Sequence, residues 1–318
     1  MPVFSSFLRE VASHVRLNVF SLRTRLWLLS FRPRYWGVKA LSALVARYTD
    51  YSSLESQEEL IRERRFDVLI VLDACRYDVF QQVVYEYLDG VLKPVLSPAS
   101  VTMDWLKRVW GGNVWRDVIY VTASPMINKR GLLPEFDARG RFLDIVEVWD
   151  WGWSEELSTV PPDKVNLGVR MARARARLRG LRFPGDYRIV VHYVQPHAPY
   201  IALQRVISKI SKHELSKEIV DIALRRLGRF TGKFSVDHIL LGVLKERLSD
   251  EKLRDVMRKA YVGNLRWVLR SVADLTTHLG GKAVITADHG ELLGEYGLYF
   301  HMDLPLPQLR IVPWFIVK

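Results

Sequence analysis

Residues 66–73 read FDVLIVLD, and residues 282–288 read KAVITAD. Each stretch is a short, mostly apolar run that ends in an aspartate, Asp73 in the first and Asp288 in the second. Short apolar runs without polar alternation are typical of strands that are buried on both faces of a parallel sheet. Because ligands of such sheets bind outside the carboxyl ends of the strands, the two aspartates mark the edge where a functional site is expected.

Four more runs of the same kind follow along the chain, separated by stretches in which apolar residues have helical spacing. They are DVIYVTAS (117–124), DIVEVW (144–149), YRIVVHYV (187–194) and RIVPWFIV (310–317). The alternation of buried strands with helices predicts an α/β fold. We expect a three-layer sandwich in which helices cover both faces of a mostly parallel central sheet.

The composition is that of a globular protein with an unusual charge. The 318 residues are 49% hydrophobic and carry a formal net charge of +12. Such a charge favours an acidic partner, which includes nucleic acid, an anionic membrane surface and an anionic substrate; the alternative is an arginine-rich surface that contacts only water. The single cysteine, Cys75, excludes an intramolecular disulfide and a multi-cysteine zinc site.

Residues 1–65 differ from the rest of the chain. Up to position 50 they are rich in arginine, with only Glu10 and Asp50 as acidic residues, and their apolar residues recur near helical spacing. This pattern predicts a basic helical region, which is either a cap on the following domain or a segment that contacts a membrane surface through residues 1–60. Residues 66–318 are then one α/β domain with a helical insertion at about 203–262.

Targeting signals are not evident in this sequence. No stretch approaches the roughly 18 to 20 consecutive apolar residues that span a bilayer. The first twenty residues lack an apolar core followed by a small-residue cleavage site, and charged residues such as Arg9 and Arg16 interrupt them. We therefore expect a cytoplasmic protein, with association to the inner face of the membrane as an option.

The stretch TADHGELLGEYG (286–297) is the sharpest chemical signal. Asp288 and His289 at a strand end offer an oxygen and a nitrogen ligand for one divalent metal, and His301 follows twelve residues later. In VLIVLDACRYD (68–78), Asp73 supplies a second carboxylate or caps the next helix. Arg76 would reach an anionic ester oxygen or form a surface salt bridge.

The stretch VHYVQPHAPY (191–200) contains two histidines with different expectations. His192 lies within the predicted strand, where side chains alternate between the faces of the sheet, so we expect a core histidine. His197 follows the Gln195-Pro196 turn at the strand end, where side chains meet ligands. His197 is therefore the candidate functional residue of this stretch.

Together these stretches resemble the signature blocks of sulfatase-like proteins. VLIVLDACRYD, HYVQPHAPY, TADHGELLGEYG and the final LRIVPWFIV follow in the family's order and span residues 66–318. The resemblance implies membership of the alkaline phosphatase/sulfatase superfamily, with an alkaline phosphatase-like fold and one or two divalent metals. It also implies a metal-bound Ser, Thr or formylglycine nucleophile that attacks phosphorus or sulfur.

The resemblance places the nucleophile in SPASVTMDWLKRVW (97–110), at a helix start. Thr102 is the first candidate, Ser100 the second and Ser97 the third, and each of them is alternatively a plain helix cap. A metal would lower the pKa of the hydroxyl and so activate it. The simplest site implied by the resemblance is a single divalent metal (Mn, Zn, Ca or Mg) held by Asp73, Thr102, Asp288 and His289.

Two features depart from the sulfatase pattern. Cys75 does not lie in the Cys/Ser-x-Pro-x-Arg context of formylglycine sulfatases, and Ala74 replaces the second aspartate of the first block. These differences favour the single-metal site over true sulfatase chemistry. His197 and His301, with Arg76, would then bind the ester oxygens, or the histidines would hold a second metal.

The sequence therefore predicts a metal-dependent hydrolase or transferase that acts on phosphate or sulfate esters through a hydroxyl nucleophile. Its partner is an anionic ester substrate, including lipid- or glycan-linked esters. The alternative is a catalytically inactive sulfatase-like scaffold that binds an anionic glycan, lipid or nucleic acid. The basic stretch RMARARARLRGLR (170–182) is either a solvated face or a contact for nucleic acid or lipid headgroups, and nucleic acid ranks lower because no residue pattern reads a base.

Overall fold

The computed structural model describes residues 51–203 and 248–318, together with 45, 49, 241, 244 and 245. Ten strands lie in this part of the chain. They are β1 (Glu55–Ser56), β2 (Val68–Leu72), β3 (Gly90–Leu96), β4 (Trp115–Thr122), β5 (Phe142–Glu147), β6 (Arg188–Tyr193), β7 (Ala283–Thr286), β8 (Leu292–Leu293), β9 (Tyr299–Phe300) and β10 (Ile311–Val317).

Seven α-helices with described bounds connect these strands. They are α1 (Gln57–Arg62), α2 (Tyr77–Val83), α3 (Thr102–Trp110), α4 (Val148–Trp151), α5 (Pro162–Leu178), α6 (Asp250–Leu279) and α7 (Pro307–Arg310). Short 3₁₀ turns lie at Val84–Glu86 and Glu295–Gly297.

Eight strands form one sheet in the order β1-β3-β10-β7-β2-β6-β4-β5. All neighbouring pairs are parallel except the two that involve β10, which runs antiparallel to β3 and to β7. The mostly parallel sheet and all six strands predicted from the apolar runs are confirmed. Strands β8 and β9 form a separate two-stranded hairpin.

Helices cover both faces of the sheet, as the neighbouring residues His192 and Tyr193 of β6 show. The ring of His192 packs edge-on against Trp105 of α3, whereas the Tyr193 hydroxyl donates a hydrogen bond to Asn166 of α5. Because successive strand residues point to opposite faces, α3 and α5 lie on opposite sides of the sheet. Helix α6 packs along α5, so the chain forms the predicted three layers.

A cluster of aromatic rings docks α3 on the sheet. The Trp110 ring, 1% exposed, meets Trp115, Tyr120 and Phe142 edge-on at centroid distances of 5.1 to 5.8 Å. Edge-to-face contacts of this kind stabilise packing beyond the area that they bury. The cluster fixes the position of α3, and with it the first residue of that helix, Thr102.

The domain division expected from the sequence stays a prediction. Most of the segment 1–65 and of the segment 203–262 lies outside the described residues. Of the first segment, residues 55–62 form β1 and α1, and β1 pairs with β3 in the main sheet. Of the second, Asp250 begins α6, a 30-residue helix that runs on to Leu279.

Within the described ranges, no helix combines the length and the apolar character needed to cross a bilayer.

Candidate active site

The carboxyl ends of three adjacent parallel strands carry the residues expected in the site. Asp73 is the first residue after β2. His197 is the fourth residue after the end of β6, and Asp288 is the second after the end of β7. Strands β7, β2 and β6 are neighbours in the sheet, so these chain positions meet at one edge. The predicted convergence at strand ends is what brings the candidate ligands together.

Asp73, Asp288 and His289 form a buried cluster. One ligand atom from each lies within 4.8 Å of the others, and all three residues are buried. The Nε2 atom of His289 lies 3.4 Å from Asp288 Oδ2 and 3.8 Å from Asp73 Oδ1. Two carboxylates and an imidazole at this separation are a donor set that suits a divalent cation.

The carboxylate oxygens of this cluster are oriented but not fully paired. Asp288 Oδ1 accepts hydrogen bonds from the backbone N–H of Ala74 at 3.0 Å and of His289 at 2.8 Å. The other oxygen, Asp288 Oδ2, and Asp73 Oδ1 are buried without any hydrogen-bond partner. Unpaired buried carboxylate oxygens are costly, and a cation at this position would compensate them. The residues present therefore fit a bound metal.

Thr102 lies beside the same cluster. It is the first residue of α3, 4% exposed, and its hydroxyl Oγ1 lies 3.1 Å from His289 Nε2. The N-cap residue of α3 is Val101, which has no side-chain capping bond, so Thr102 is not the helix cap. The alternative in which Thr102 only caps α3 is not what the structure shows.

The two other hydroxyl candidates face elsewhere. Ser100 Oγ accepts from the backbone N–H of Leu304 at 3.2 Å and lies 3.5 Å from Asp303 Oδ1. Ser97 Oγ hydrogen-bonds the carbonyl oxygens of Asp288 and Ala99. Both serines stabilise loops that surround the site, which leaves Thr102 as the hydroxyl next to the candidate ligands.

A second group of His197, Glu291 and His301 adjoins the first. Its ligand atoms lie within 4.8 Å of one another, and His301 Nδ1 is 3.2 Å from Glu291 Oε1. The His301 ring is centred 4.3 Å from the ring of His289 and 4.9 Å from that of His197. The three histidines therefore form a continuous row from the metal-ligand cluster outwards.

Glu291 is the site residue that the sequence reasoning missed. Its side chain is fully buried, although it lies in the quoted stretch TADHGELLGEYG. A glutamate followed directly by two leucines, with Asp288-His289 just before it, was the available signal. Its carboxylate orients His301 in the way that carboxylates orient metal-binding histidines.

Arg76 does not join this group. Its Nε and Nη2 atoms donate to the Asp78 carboxylate at 2.8 Å, and Nη1 donates to Glu295 Oε1 at 2.6 Å and to the Glu291 carbonyl at 3.1 Å. A guanidinium that is paired through all three of its nitrogen atoms connects the surrounding loops and is not placed to bind an ester oxygen. The geometry thus favours a salt bridge over a catalytic role for Arg76. The expected salt bridge was a surface one, and here the Arg76 side of it is buried.

His192 and Cys75 have structural surroundings. His192 is 1% exposed, and its Nδ1 lies 3.0 Å from the Tyr120 hydroxyl, as expected for a core histidine. Cys75 is fully buried, and burial raises the pKa of its thiol well above the usual value. Neither residue is placed to take part in chemistry at the strand ends.

Burial dominates the electrostatics of the first cluster. Burial, together with the charges of Asp288 and Glu291, raises the pKa of Asp73 well above its usual value. Burial acts on Asp288 in the same direction, but the nearby His289 and His192 outweigh it and hold the pKa of Asp288 below its usual value. Burial lowers the pKa of His289 to about 4, so its imidazole is neutral at pH 7 and free to bind a metal.

The pKa values of the two outer histidines, His197 and His301, shift in opposite directions. Burial and the neighbouring His301 lower the pKa of His197. Burial also opposes the charging of His301, but the hydrogen bond that His301 donates to the Glu291 carboxylate outweighs it and raises the pKa of His301. His301 is therefore the histidine best able to carry a positive charge toward an anionic substrate.

Comparison with known proteins finds distant likenesses to solved structures and no match in sequence. No protein-family model matches the chain, and no curated protein sequence matches it. Among solved structures, the integral membrane protein lipooligosaccharide phosphoethanolamine transferase A from Neisseria meningitidis superposes with a TM-score of 0.45 at 14% identity, over 78% of this chain and 47% of that chain. The present chain thus spans about half the length of that transferase.

Two further structures show the same likeness. Phosphonate monoester hydrolase of Agrobacterium radiobacter gives a TM-score of 0.42 at 14% identity, over 78% of this chain and 67% of that chain. The C-terminal periplasmic domain of EcEptC from Escherichia coli, in complex with Zn, gives 0.36 at 13% identity, over 79% and 72% of the two chains. The three-layer fold with a mostly parallel sheet is confirmed by the structure itself, and membership of the alkaline phosphatase/sulfatase superfamily stays what the sequence resemblance implies.

The same comparisons correct one expectation. The sequence led us to expect a cytoplasmic protein, with the inner face of the membrane as an option. Two of these three structures are described as an integral membrane protein and as a C-terminal periplasmic domain. The cytoplasmic assignment rested only on the lack of a recognisable signal, and these comparisons overturn it.

Proposed function

We propose that the chain is a metal-dependent enzyme that transfers or hydrolyses a phosphate or sulfate ester through the hydroxyl of Thr102. The observation that carries the proposal is the position of Thr102 Oγ1, 3.1 Å from His289 Nε2, beside two buried carboxylates with unpaired oxygens. A hydroxyl, a neutral imidazole and unpaired carboxylates in one buried cluster are the groups that an activated-alcohol mechanism needs.

Asp73, Asp288, His289 and Thr102 would hold the metal. One nitrogen donor and three oxygen donors favour Zn or Mn over Ca, which takes a larger set of oxygen ligands. The metal would supply Lewis-acid polarisation of the ester and a lowered pKa for the Thr102 hydroxyl.

The remaining groups act on the developing negative charge. Thr102 attacks the central atom of the ester while the first backbone N–H groups of α3 face the anion with the positive end of the helix dipole. His301, whose pKa the Glu291 carboxylate raises, donates toward the ester oxygens, and His197 lies beside it. The attack forms a bond from Thr102 Oγ1 to the central atom and breaks the ester bond, so the alcohol of the ester leaves with the proton of the Thr102 hydroxyl. Attack of water on the group held by Thr102 then gives hydrolysis, attack of another alcohol gives transfer, and either attacking molecule returns a proton to Thr102.

A phosphate ester ranks ahead of a sulfate ester. The resemblance assigns sulfatase chemistry to a formylglycine made from Cys or Ser, and here the only cysteine, Cys75, is buried and does not lie in the formylglycine motif. Thr102 cannot become a formylglycine, because the modification starts from a primary thiol or hydroxyl side chain. The proposed nucleophile is therefore an unmodified threonine.

The test is release of p-nitrophenol from a phosphate monoester, a phosphodiester and a sulfate ester, each with EDTA or with Zn, Mn, Mg or Ca. Thr102→Ala and Asp288→Ala should abolish metal-dependent turnover. Thr102→Ser should retain part of it, and Ser100→Ala, the matched loop control, should retain most of it. Equal turnover in wild type and Thr102→Ala would refute the proposed nucleophile. A purified protein that binds no metal would favour the inactive-scaffold alternative.

A further inference from the structure

Helix α5 has an apolar row on the side that faces away from the core. Its buried contacts come from Val165, Val169, Ala172 and Ala176, spaced 4, 3 and 4 residues apart. Two positions further on, a second row has the same spacing: Leu167, Met171, Ala174 and Leu178. Residues two apart lie about 200° apart around a helix, so the second row points outwards.

This outward row is exposed. Leu167 is 40% exposed and Leu178 is 89% exposed, Ala174 is exposed and Met171 is half-buried. A single exposed leucine on a protein surface needs no explanation, but a row with regular helical spacing does. Such a row on a solvated helix predicts a partner surface.

Arginines flank the row on both sides. Arg170 and Arg177 lie on one side of it, and Arg175 and Arg179 on the other. None of these four forms an ion pair within the part of the chain that the structure describes, whereas arginines elsewhere pair with carboxylates, for example Arg64, Arg130, Arg139, Arg188 and Arg266. Basic residues in the last turn of a helix interact favourably with the helix dipole, which explains the presence of Arg175 and Arg177. It does not explain the apolar row that lies between them on the helix surface.

We propose that this outward face of α5, called the α5 face from here on, docks on an anionic lipid surface. An apolar row flanked by arginines is the pattern of a helix that lies in the headgroup region, with leucines buried and arginines at the phosphates. The charge excludes a basic partner. A polynucleotide would contact the arginines but leave Leu178 in water, and aromatic residues for base stacking are absent from the row.

The N-terminal end of α5 lies near the segment that carries His197. Helix α5 starts at Pro162, and Val160 and Thr159 just before it accept hydrogen bonds from Gln195, two residues before His197. The inference itself rests on α5 alone and does not depend on the proposed function.

The experiment is flotation of the full chain with vesicles of phosphatidylcholine alone or of equal parts phosphatidylcholine and phosphatidylglycerol. Wild type should bind only the anionic vesicles. The triple variant R175E/R177E/R179E should lower the partition coefficient at least about tenfold. The triple variant R65E/R108E/R116E changes the net charge equally at exposed positions off α5, and it should lower the coefficient less than about threefold.

A second pair of variants tests the apolar row with all charges kept. Leu167→Ser combined with Leu178→Ser should lower partitioning about tenfold. Leu132→Ser, at a 52% exposed leucine elsewhere, should leave it unchanged. Equal losses in both arginine triples, no loss in the leucine pair, or no binding of wild type to anionic vesicles would each overturn the proposal. Soluble-ester turnover, measured beside the flotation, reports on the proposed function separately.

Discussion

Ala74 shows how the turn after Asp73 is held. Its φ of 59° lies in the left-handed region that residues with a side chain rarely adopt, at a cost on the order of 1 kcal/mol. The Tyr261 hydroxyl of α6 donates to the Ala74 carbonyl at 2.7 Å and accepts from the Arg76 N–H at 2.9 Å. The same turn directs the Ala74 N–H toward the Asp288 carboxylate. One buried hydroxyl therefore fixes the approach of the two candidate carboxylate ligands.

Tyr261→Phe should destabilise the protein. The substitution keeps the ring but leaves a buried carbonyl and a buried N–H without partners, which costs about 1–3 kcal/mol for each group. Urea unfolding of wild type and variant measures the difference in free energy of unfolding. Tyr85→Phe, at a tyrosine that is 56% exposed, is the matched control and should change it by less than about 0.5 kcal/mol. A Tyr261→Phe variant as stable as the control would contradict this role for the hydroxyl.

Asp73→Asn should separate stability from metal binding. Burial, with Asp288 and Glu291 nearby, raises the pKa of Asp73, so its ionised form opposes folding at pH 7 when no metal is bound. We expect the metal-free variant to melt at the same temperature as wild type or higher. Zn or Mn should raise the melting temperature of wild type only, since a ligand at a hundredfold excess over its Kd stabilises by about 2.7 kcal/mol.

The control for Asp73→Asn is Asp104→Asn, at a carboxylate on the surface of α3 that pairs with Lys107. It should keep the wild-type response to metal. A metal-induced rise in the Asp73→Asn variant equal to that of wild type would show that Asp73 is not a ligand.

At the scale of elements, Gln57 of α1 links the strand and the helix that carry the candidate ligands. Its Nε2 donates to Thr286 Oγ1 at 2.7 Å and to the Ala287 carbonyl at 2.6 Å, directly before Asp288. Its Oε1 accepts from Trp105 Nε1 at 2.8 Å, one turn after Thr102. The segment that the sequence assigned to a separate N-terminal region thus supplies a buried amide that spaces β7 from α3.

Gln57→Leu should impair the site more than the fold. Loss of a residue that orients ligands typically costs 10–100-fold in metal affinity or activity, and we expect a loss in this range. Metal titration followed by the change in melting temperature gives the affinity, and p-nitrophenol release gives the activity. Gln81→Leu on the exposed side of α2 should leave both unchanged. Wild-type metal affinity in Gln57→Leu would refute the linking role.

Across the whole molecule, the sequence was most informative where burial is continuous. The six strands that were predicted are recognisable in the sequence as apolar runs because both of their faces are covered. Strand β3 is not, because Lys93 and Pro94 interrupt it and its neighbour β1 is only two residues long. The order of the strands and the reversal of β10 depend on long-range pairing, which no local pattern encodes.

The residues of the candidate site, like the strands, could be predicted where a local sequence pattern marks them. Asp73 and Asp288 could be proposed because each follows the end of an apolar strand, and Thr102 because the family resemblance places the nucleophile at a helix start. Glu291 was missed, since its local signal is weak and its contact with His301, the residue after β9, depends on how the hairpin of β8 and β9 folds. Arg76 pairs locally with Asp78, but its other two partners are equally non-local, because Glu291 and Glu295 are 215 and 219 residues away along the chain.

The most direct test of the account is mass spectrometry of the protein after rapid acid quenching of a reaction with p-nitrophenyl phosphate and Zn or Mn. We predict a phosphoryl group on the peptide that contains Thr102, located on Thr102 itself by fragmentation and absent when EDTA replaces the metal. Thr102→Ala should carry no phosphoryl group on this peptide. Metal-dependent turnover with the phosphoryl group on another residue, or undiminished turnover in Thr102→Ala, would contradict the account.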